Sequence, residues 1–488
     1  MLKRIGAEES GEFKAVASGT LPSGKPVVIN ADGTVSVVAE TSVSAGVGSA
    51  VVFNNNSSGA GSPYIVTGYD SNAQKVIIAY RDDGNSNSGT AIVGTVSGTS
   101  ISFGSSTAFN SADFDNASIA FDSTNNKIVI VYADGNNNYY GTAIVGTVSG
   151  TSISFGSPVV YNSNLSTYNS AVFDSNAGKI VVGFRNQTGS NLGKAIVGTV
   201  SGTSISFGSA VTFNNASTQD VAAVYDSANN KVVIAFRDLG DSNKGKAIVG
   251  TVSGTSISFG SEATFSTNNS FRNIITFDSS NNKVIIVYSD ITNSYYGTAI
   301  VGTVSGTSIS FGTAVVYHSG SSYRHSISYD SNAQKSAIFY RDSGNSDYGT
   351  AIVGTVSITS ISFGSPILFE SAAIDYISSS YDENSQKIVT GYRDTGNSNR
   401  GTAIVFQNAS TSTNLTSENY IGMSKGGAVA DTKGATVDII GAVNDEQSGL
   451  TPGQQYFVQT DGTIGTTAAT PSVLAGTAIS ATELLVKT

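Results

Sequence analysis

The chain has no cysteine and no tryptophan among its 488 residues, and only two histidines. Without thiols it can build neither a disulfide framework nor a thiolate metal site. His318 and His325 alone supply no multi-histidine ligand set and no specific Ser-His-Asp arrangement. Charge is scarce as well: Asp, Glu, Lys and Arg make up 12% of the chain, against about 25% in ordinary soluble proteins. The net charge is −10 and no basic stripe is visible, so neither nucleic acid nor an anionic membrane surface is an expected partner. No run of about 18 apolar residues is present to span a membrane as a helix. The opening "MLKRIGAEESGEFKA" lacks the apolar stretch of a secretory signal. The expectation is a protein made and kept soluble in the cytoplasm of the producing cell, reaching any outside role by another route such as lysis. No cofactor is implied.

What is abundant is glycine, at 54 residues, together with Ser, Thr, Asn and the β-formers Val, Ile, Phe and Tyr. That is a composition of strands and turns. An aromatic–Asp pair recurs at Tyr69-Asp70, Phe121-Asp122, Phe173-Asp174, Tyr225-Asp226, Phe277-Asp278, Tyr329-Asp330 and Tyr381-Asp382, each 52 residues after the last. In every unit a first strand runs into this pair, and a polar turn such as "DSNAQK" ends in lysine (Lys75 and its equivalents). An apolar run such as "VIIAYRD" follows, then a Gly/Asn/Ser loop, "GTAIVGTVSG", a tight "SGTS" turn and a last strand "ISFGSPVVY". Short runs of β-formers between such turns, with no competing helical period, are strands. Four strands per repeat of about 40–50 residues mark a propeller blade. The fold class is therefore all-β, a seven-bladed β-propeller over residues 44–407. The seventh unit stops after its third strand, at "GTAIVFQNAS". The missing fourth strand stands before the first unit, where "GVGSAVVFNNN" (46–56) matches "SFGSAVTFNNA" (206–216). A blade shared by both chain ends closes the ring and leaves no open sheet edge.

Residues 1–43 and 408–488 lie outside the ring and resemble each other. "SGTLPSGKPVVINADGTVSVVA" (18–39) parallels "SGLTPGQQYFVQTDGTIGTTA" (448–468), each with a Pro/Gly turn, an alternating strand and an Asp-Gly hairpin turn. They are expected to form one composite β-rich foot, or paired modules, beneath the propeller. "GLTPGQQYFVQTDGTIGTTAATPSVLAGTAISATELLVKT" resembles the C-terminal modules, and "GTLPSGKPVVINADGTVSVV" the N-terminal modules, of fibre- or decoration-type virion structural proteins of tailed phages, especially marine ones. The repeats resemble phage and bacterial surface repeats more loosely. The resemblance implies a virion location, docking to other virion proteins through the foot (1–43, 408–488), compatibility with a homo-oligomer, and no catalytic residues.

In a four-stranded blade the loops joining strand four to the next strand one share a face with those joining strands two and three. The turns of the opposite face, "DSNAQK" and "SGTS", are nearly uniform, apart from Ile358 where other units have Gly98 or Gly150. The first face is diversified. At one matched pair of positions in the inter-blade loops stand Asp115-Asn116, Thr167-Tyr168, Gln219-Asp220, Phe271-Arg272, Tyr323-Arg324 and Asp375-Tyr376. The loop before the first unit is longer and holds Pro63 and Tyr64; the loops between strands two and three vary at Tyr139, Tyr140, Leu192, Lys244, Tyr295, Tyr296, Tyr348 and Arg400. Exposed Tyr and Arg are what binding surfaces are enriched in. The candidate ligand-binding residues are accordingly Phe271, Arg272, Tyr323, Arg324, His325, Tyr168, Tyr376, Tyr139, Tyr140, Tyr295, Tyr296 and Tyr348. The bland alternative is drift of unconstrained loops, with His325 a solvated loop residue. The foot joins the ring at the uniform face, so the variable face is expected to point away from it.

Asp70 and its equivalents, and the acid closing strand two (Asp82, Asp134, Asn186, Asp238, Asp290, Asp342, Asp394), recur in nearly every unit. A catalytic carboxylate pair needs two distinct environments; recurrence reads instead as turn capping and pairing with the repeated lysine. "DDGNSNSG" (82–89) has the wrong glycine spacing and no bidentate Glu for a Ca²⁺ loop, so no metal site is read. A propeller glycosidase or sialidase would need an arginine cluster or a carboxylate pair at the channel. Arg272 and Arg324 come from adjacent units, and a third matching Arg is absent. The functional expectation is a non-enzymatic phage virion component, a tail fibre or knob or a capsid decoration. Its foot would dock to the particle and its variable face would contact a host-surface glycan or receptor. A spacer or stabilising cap without ligand, and a glycan-cleaving enzyme, are the alternatives.

Overall fold

The computed structural model describes residues 6–8, 11–55 and 64–487. Its contacts divide the chain into two compact units, Ser44–Asn408 and Met1–Val43 with Ala409–Thr488.

The larger unit is the seven-bladed propeller, a closed ring of antiparallel four-stranded blades. Its second strands read as unbroken apolar runs because the blades pack face to face: Val76, Ile77, Ile78 and Ala79 of Lys75–Asp82 are all fully buried. The outermost strand of blade one comes in two pieces, Ser100–Phe103 and the start of Thr107–Asp122. The break falls at Gly104, where an added Cβ would sit 2.0 Å from the Thr151 carbonyl oxygen of the next blade. Gly48, Gly156, Gly208, Gly260 and Gly312 meet the carbonyls of Thr99, Thr203, Thr255, Thr307 and Thr359 in the same way. The repeated glycine is thus a blade-to-blade contact that admits no side chain. An aromatic ring completes each joint. Phe109 packs 5.6 Å from Tyr132 and 5.1 Å from Phe155 of the following blade, and Phe53 packs against Tyr80 and Phe103 at 5.1 and 5.8 Å. Phe53 belongs to the N-terminal segment: Gly46–Val47 and Val51–Asn54 pair with Arg400–Gln407, completing blade seven and closing the ring.

The repeated acids cap turns. Asp70 accepts the Ala73 N–H at 2.8 Å, and Asp122 accepts those of Thr124 and Asn125 at 3.0 Å. At the other end of the blade, Asp134 and Asp394 accept the N–H groups of Asn136 and Asn397 at 3.0 Å. The expected pairing with lysine is met at Asp70 by the charge of Lys127 in the next blade rather than by its own neighbour. Lys75 is the ladder partner of Asp70, but the Nζ groups of Lys75 and Lys387 reach the turn carbonyls of Gln74, and of Ser385 and Gln386.

The inter-blade connections expected as loops are strand instead. Strand four and the next inner strand form one continuous 16-residue strand, as in Val159–Asp174 and Ile367–Asp382. None of these six stretches contains proline, and only Val315–Asp330 contains glycine, so nothing forces a turn. Each carries a one-residue bulge where it leaves one blade for the next, for example between Thr167 and Ser170.

The smaller unit is composite. Strands from both chain ends share a six-stranded sheet in which Glu12–Val16 pairs with Gly434–Asp438 and Pro26–Ile29 with Tyr420–Lys425. A five-stranded sheet from the C-terminal segment accompanies it, and Val28 and Val38 share a core with Tyr456 and Val458. The two matched Asp-Gly turns are built alike. Thr34 donates to Asp32, and Thr463 to Asp461, from both backbone and hydroxyl.

Candidate functional site

Each bulge places one residue in a left-handed backbone: Asn116, Tyr168, Asp220, Arg272, Arg324 and Tyr376, at φ between +48 and +58. With Tyr64, their equivalent ahead of blade one, they form a ring with one member per blade around a cavity of about 240 Å³. This is the mouth of the central channel. A left-handed backbone costs a residue with a Cβ roughly 1–2 kcal/mol. The turns joining strands one and two meet the same demand with Gln, Asn or Gly, as at Gln74, Asn126 and Gly178. At the mouth it falls on two tyrosines and two arginines, so the bulge displays side chains that the backbone alone would not select.

The mouth has two electrostatic sectors. In the first, every guanidinium has a carboxylate. Arg324 lies 2.8 Å from Asp375 and 4.2 Å over the Tyr376 ring, which itself stands 5.0 Å from Tyr64. Arg341 reaches Asp347 at 2.8 Å, and Arg81 reaches Asp83 and Asp113 at 2.7 and 3.0 Å. The Arg341 hydrogen bond holds Asp347 below the usual carboxylate range. Burial pushes Asp115 up, against a hydrogen bond from Tyr64. In the second sector Arg185 sits 5.9 Å over Tyr168, while Arg237 and Arg272 sit 5.8 and 5.0 Å over Phe271. Phe271 leads into an aromatic row with Tyr295 and Tyr323, at 6.5 and 5.2 Å. The carboxylate facing these arginines is Asp220, which is buried and pushed up by that burial, while the Arg272 backbone N–H and the Arg272 and Arg237 charges oppose the shift. Burial, then the neighbouring Arg324, push Arg272 down.

Of the residues singled out by sequence, Tyr168, Arg272, Arg324, His325 and Tyr376 line the cavity. Phe271, Tyr295 and Tyr323 form the row beside it, and Tyr139 donates to Asp113 at 2.8 Å in the first sector. Tyr140, Tyr296 and Tyr348 begin third strands and do not line the cavity. The tyrosines and arginines are half-buried rather than openly exposed. His325 is not a solvated loop residue. It is buried in the wall behind the ring, with Nε2 3.0 Å from the Ser322 hydroxyl oxygen, and burial pushes it down to about 4. Pro63 lies outside the described residues.

Five further arginines of the mouth do not stand out by variation among the repeats. Arg81, Arg185, Arg237, Arg341 and Arg393 each stand next to last in a second strand. The ladder sets four of them opposite bulge positions: Thr167 with Arg185, Gln219 with Arg237, Tyr323 with Arg341, and Asp375 with Arg393. With Arg272 and Arg324 they bring seven of the chain's nine arginines to one mouth. An arginine cluster is therefore present, although the bulge positions alone supply only two of its members. The signal that could have found it is register: residues next to last in strand two face the start of strand one.

No family model matches the sequence, and no curated protein matches it. Solved structures do match. The BP39L lectin from Burkholderia pseudomallei aligns at 9% identity and a TM-score of 0.53, over 68% of this chain and 93% of the lectin. The Swd1 β-propeller domain from Myceliophteria thermophila aligns at 5% identity and a TM-score of 0.47, over 73% of this chain and 99% of that domain. At such identities the likeness to the lectin establishes a shared propeller fold and nothing finer.

Proposed function

We propose that this chain is a non-enzymatic, carbohydrate-binding propeller protein that holds a glycan at the channel mouth. The observation that carries the reading is the ring itself: seven equivalent backbone positions present Tyr64, Asn116, Tyr168, Asp220, Arg272, Arg324 and Tyr376. The scaffold repeats and the chemistry does not, which is how a ring-shaped fold makes a single directional site. A cavity of about 240 Å³ falls just below the roughly 300–1,000 Å³ of drug-sized sites, a size suited to one terminal sugar. Half-buried tyrosines offer flat apolar faces to sugar rings, and arginines and amides offer directional hydrogen bonds. That a propeller of this fold is a lectin supports the reading by analogy of scaffold alone. Asp375 is engaged by Arg324 at 2.8 Å and Asp220 by the Arg272 N–H, which supports binding over hydrolysis by a carboxylate pair.

The flanking unit, with its likeness to phage fibre and decoration modules, would anchor the protein to other virion proteins, and the glycan would belong to a host surface. The test is retention on a glycan array. Arg324→Ala combined with Tyr376→Ala should abolish it with little change in melting temperature, and no reducing ends should be released from any bound polysaccharide. Retention unchanged by the double substitution would sink the assignment of the mouth.

A further inference from the structure

Resting on the carbohydrate-binding reading above, we propose that the glycan carries an anionic group, a carboxylate or a sulfate, held by Arg185, Arg237 and Arg272 in the second sector of the mouth. The contrast between the sectors carries the argument. Across the mouth Arg81, Arg324, Arg341 and Arg393 all have a carboxylate within 4 Å. Among the described residues, Arg185, Arg237 and Arg272 have none; a buried Nε without a hydrogen-bond partner is common to these three and to Arg393, so the missing carboxylate is what sets them apart. Acid is not in short supply in a chain with 35 Asp and Glu against 25 Lys and Arg.

The repeats show where carboxylates could have been placed. The first bulge position is Asp115 in blade two and Asp375 in blade seven, and Asp375 lies within 4 Å of three arginines. In the blades between, the same position is Thr167, Gln219, Phe271 or Tyr323, and Gln219 offers Arg237 only an amide oxygen at 3.2 Å. Asp220 leaves the three arginines in net positive excess. The guanidinium groups are half-buried and a buried N–H needs an acceptor, and a guanidinium fork matches the paired oxygens of a carboxylate or sulfate. Stacking on Tyr168 and Phe271 at 5.0–5.9 Å holds the forks in place. The Phe271–Tyr295–Tyr323 row then supplies an apolar face beside the anion for the sugar ring.

The experiment titrates the full chain with polygalacturonate, dextran sulfate and neutral dextran, alongside an array of neutral and acidic glycans. Acidic probes should bind at least about tenfold more tightly than neutral ones, the difference that one charged hydrogen bond makes. Preference between polygalacturonate and dextran sulfate identifies the group. Arg237→Gln and Arg272→Gln should each lose about tenfold for acidic probes only, and Arg400→Gln, at the start of a third strand and outside the cluster, less than about threefold, with unchanged melting temperatures. Equal affinity for acidic and neutral glycans would overturn the anionic site while leaving the carbohydrate-binding reading intact. Acidic binding that survives both substitutions would also overturn it. Absence of binding to every glycan would instead remove the reading on which it rests.

Discussion

At Ile358 the tight turn between strands three and four needs a left-handed residue, at φ +57, a conformation that Gly98, Gly150, Gly202, Gly254 and Gly306 supply elsewhere. A β-branched side chain there costs roughly 1–2 kcal/mol, and at 81% exposure it gains almost nothing from packing. Ile358→Gly should therefore stabilise the propeller by about 1 kcal/mol, the strain relieved less the added freedom of glycine in the unfolded chain; urea titration measures it. His325 makes a pH-dependent contribution. Burial lowers it from an ordinary 6.5 to about 4, so as pH falls the unfolded chain takes up the proton first. Its contribution is complete above about pH 6.5 and is lost on the way down to pH 4, a shift equivalent to roughly 3 kcal/mol. Buried carboxylates raised above their ordinary value, such as Asp220, act in the opposite sense. The useful comparison is therefore with His325→Asn, which installs the side chain found at the equivalent Asn169 and Asn273. Between pH 7 and 4.5 the unsubstituted protein should lose about 2 kcal/mol more than the variant; parallel stability curves would show that His325 titrates normally.

Among the strands, the broken outer one carries the most specific demand. Gly208→Ala would drive a methyl to 1.9 Å from the Thr255 carbonyl oxygen, whereas Gly364→Ala would find nothing closer than the Val353 carbonyl at 3.9 Å. The difference follows from the repeat: the seventh unit has no strand three–four turn of its own to receive the sixth blade. Gly208→Ala should cost about 2–3 kcal/mol or more, and Gly364→Ala less than about 0.5 kcal/mol; thermal unfolding of the pair decides. These elements also show what a sequence displays and what it hides. Blade count, strand order and closing strand are legible because the aromatic–Asp pair and the turn residues repeat at a fixed spacing. The bulges are not, since one extra residue in a stretch of β-formers leaves no mark in composition. Only its register against Lys179–Asn186 reveals it. Variation among repeats picks out Arg272 and Arg324. Arg185 and Arg237 recur, as scaffold residues do, and only the ladder brings them to the mouth.

At the scale of the whole ring, one pair distinguishes the closing blade from the others. In six blades a glycine of strand three faces a phenylalanine of strand four, from Gly94 with Phe103 to Gly354 with Phe363. A Cβ on Gly94 would lie 2.7 Å from Ile101 and 3.1 Å from Phe103, so these two side chains together fill the space a side chain would need. In blade seven the sizes are exchanged: Phe406, fully buried and 5.3 Å from Phe339, faces Val47. An internal fourth strand would bring a second phenylalanine against Phe406, so the N-terminal strand fits this edge and the six internal strands do not. The exchange disfavours wrong closure and strand swapping between copies, which the near-identity of the repeats otherwise invites. Phe406→Gly alone should cost about 3–5 kcal/mol through the cavity it leaves, and Val47→Phe alone about 1–3 kcal/mol through overpacking. Together they recreate the pair of the other six blades, so the double variant should recover at least about 2 kcal/mol of the summed losses. Strict additivity across that cycle, measured by urea unfolding, would mean that the two residues do not fill one another's space and that closure is specified elsewhere in the strand.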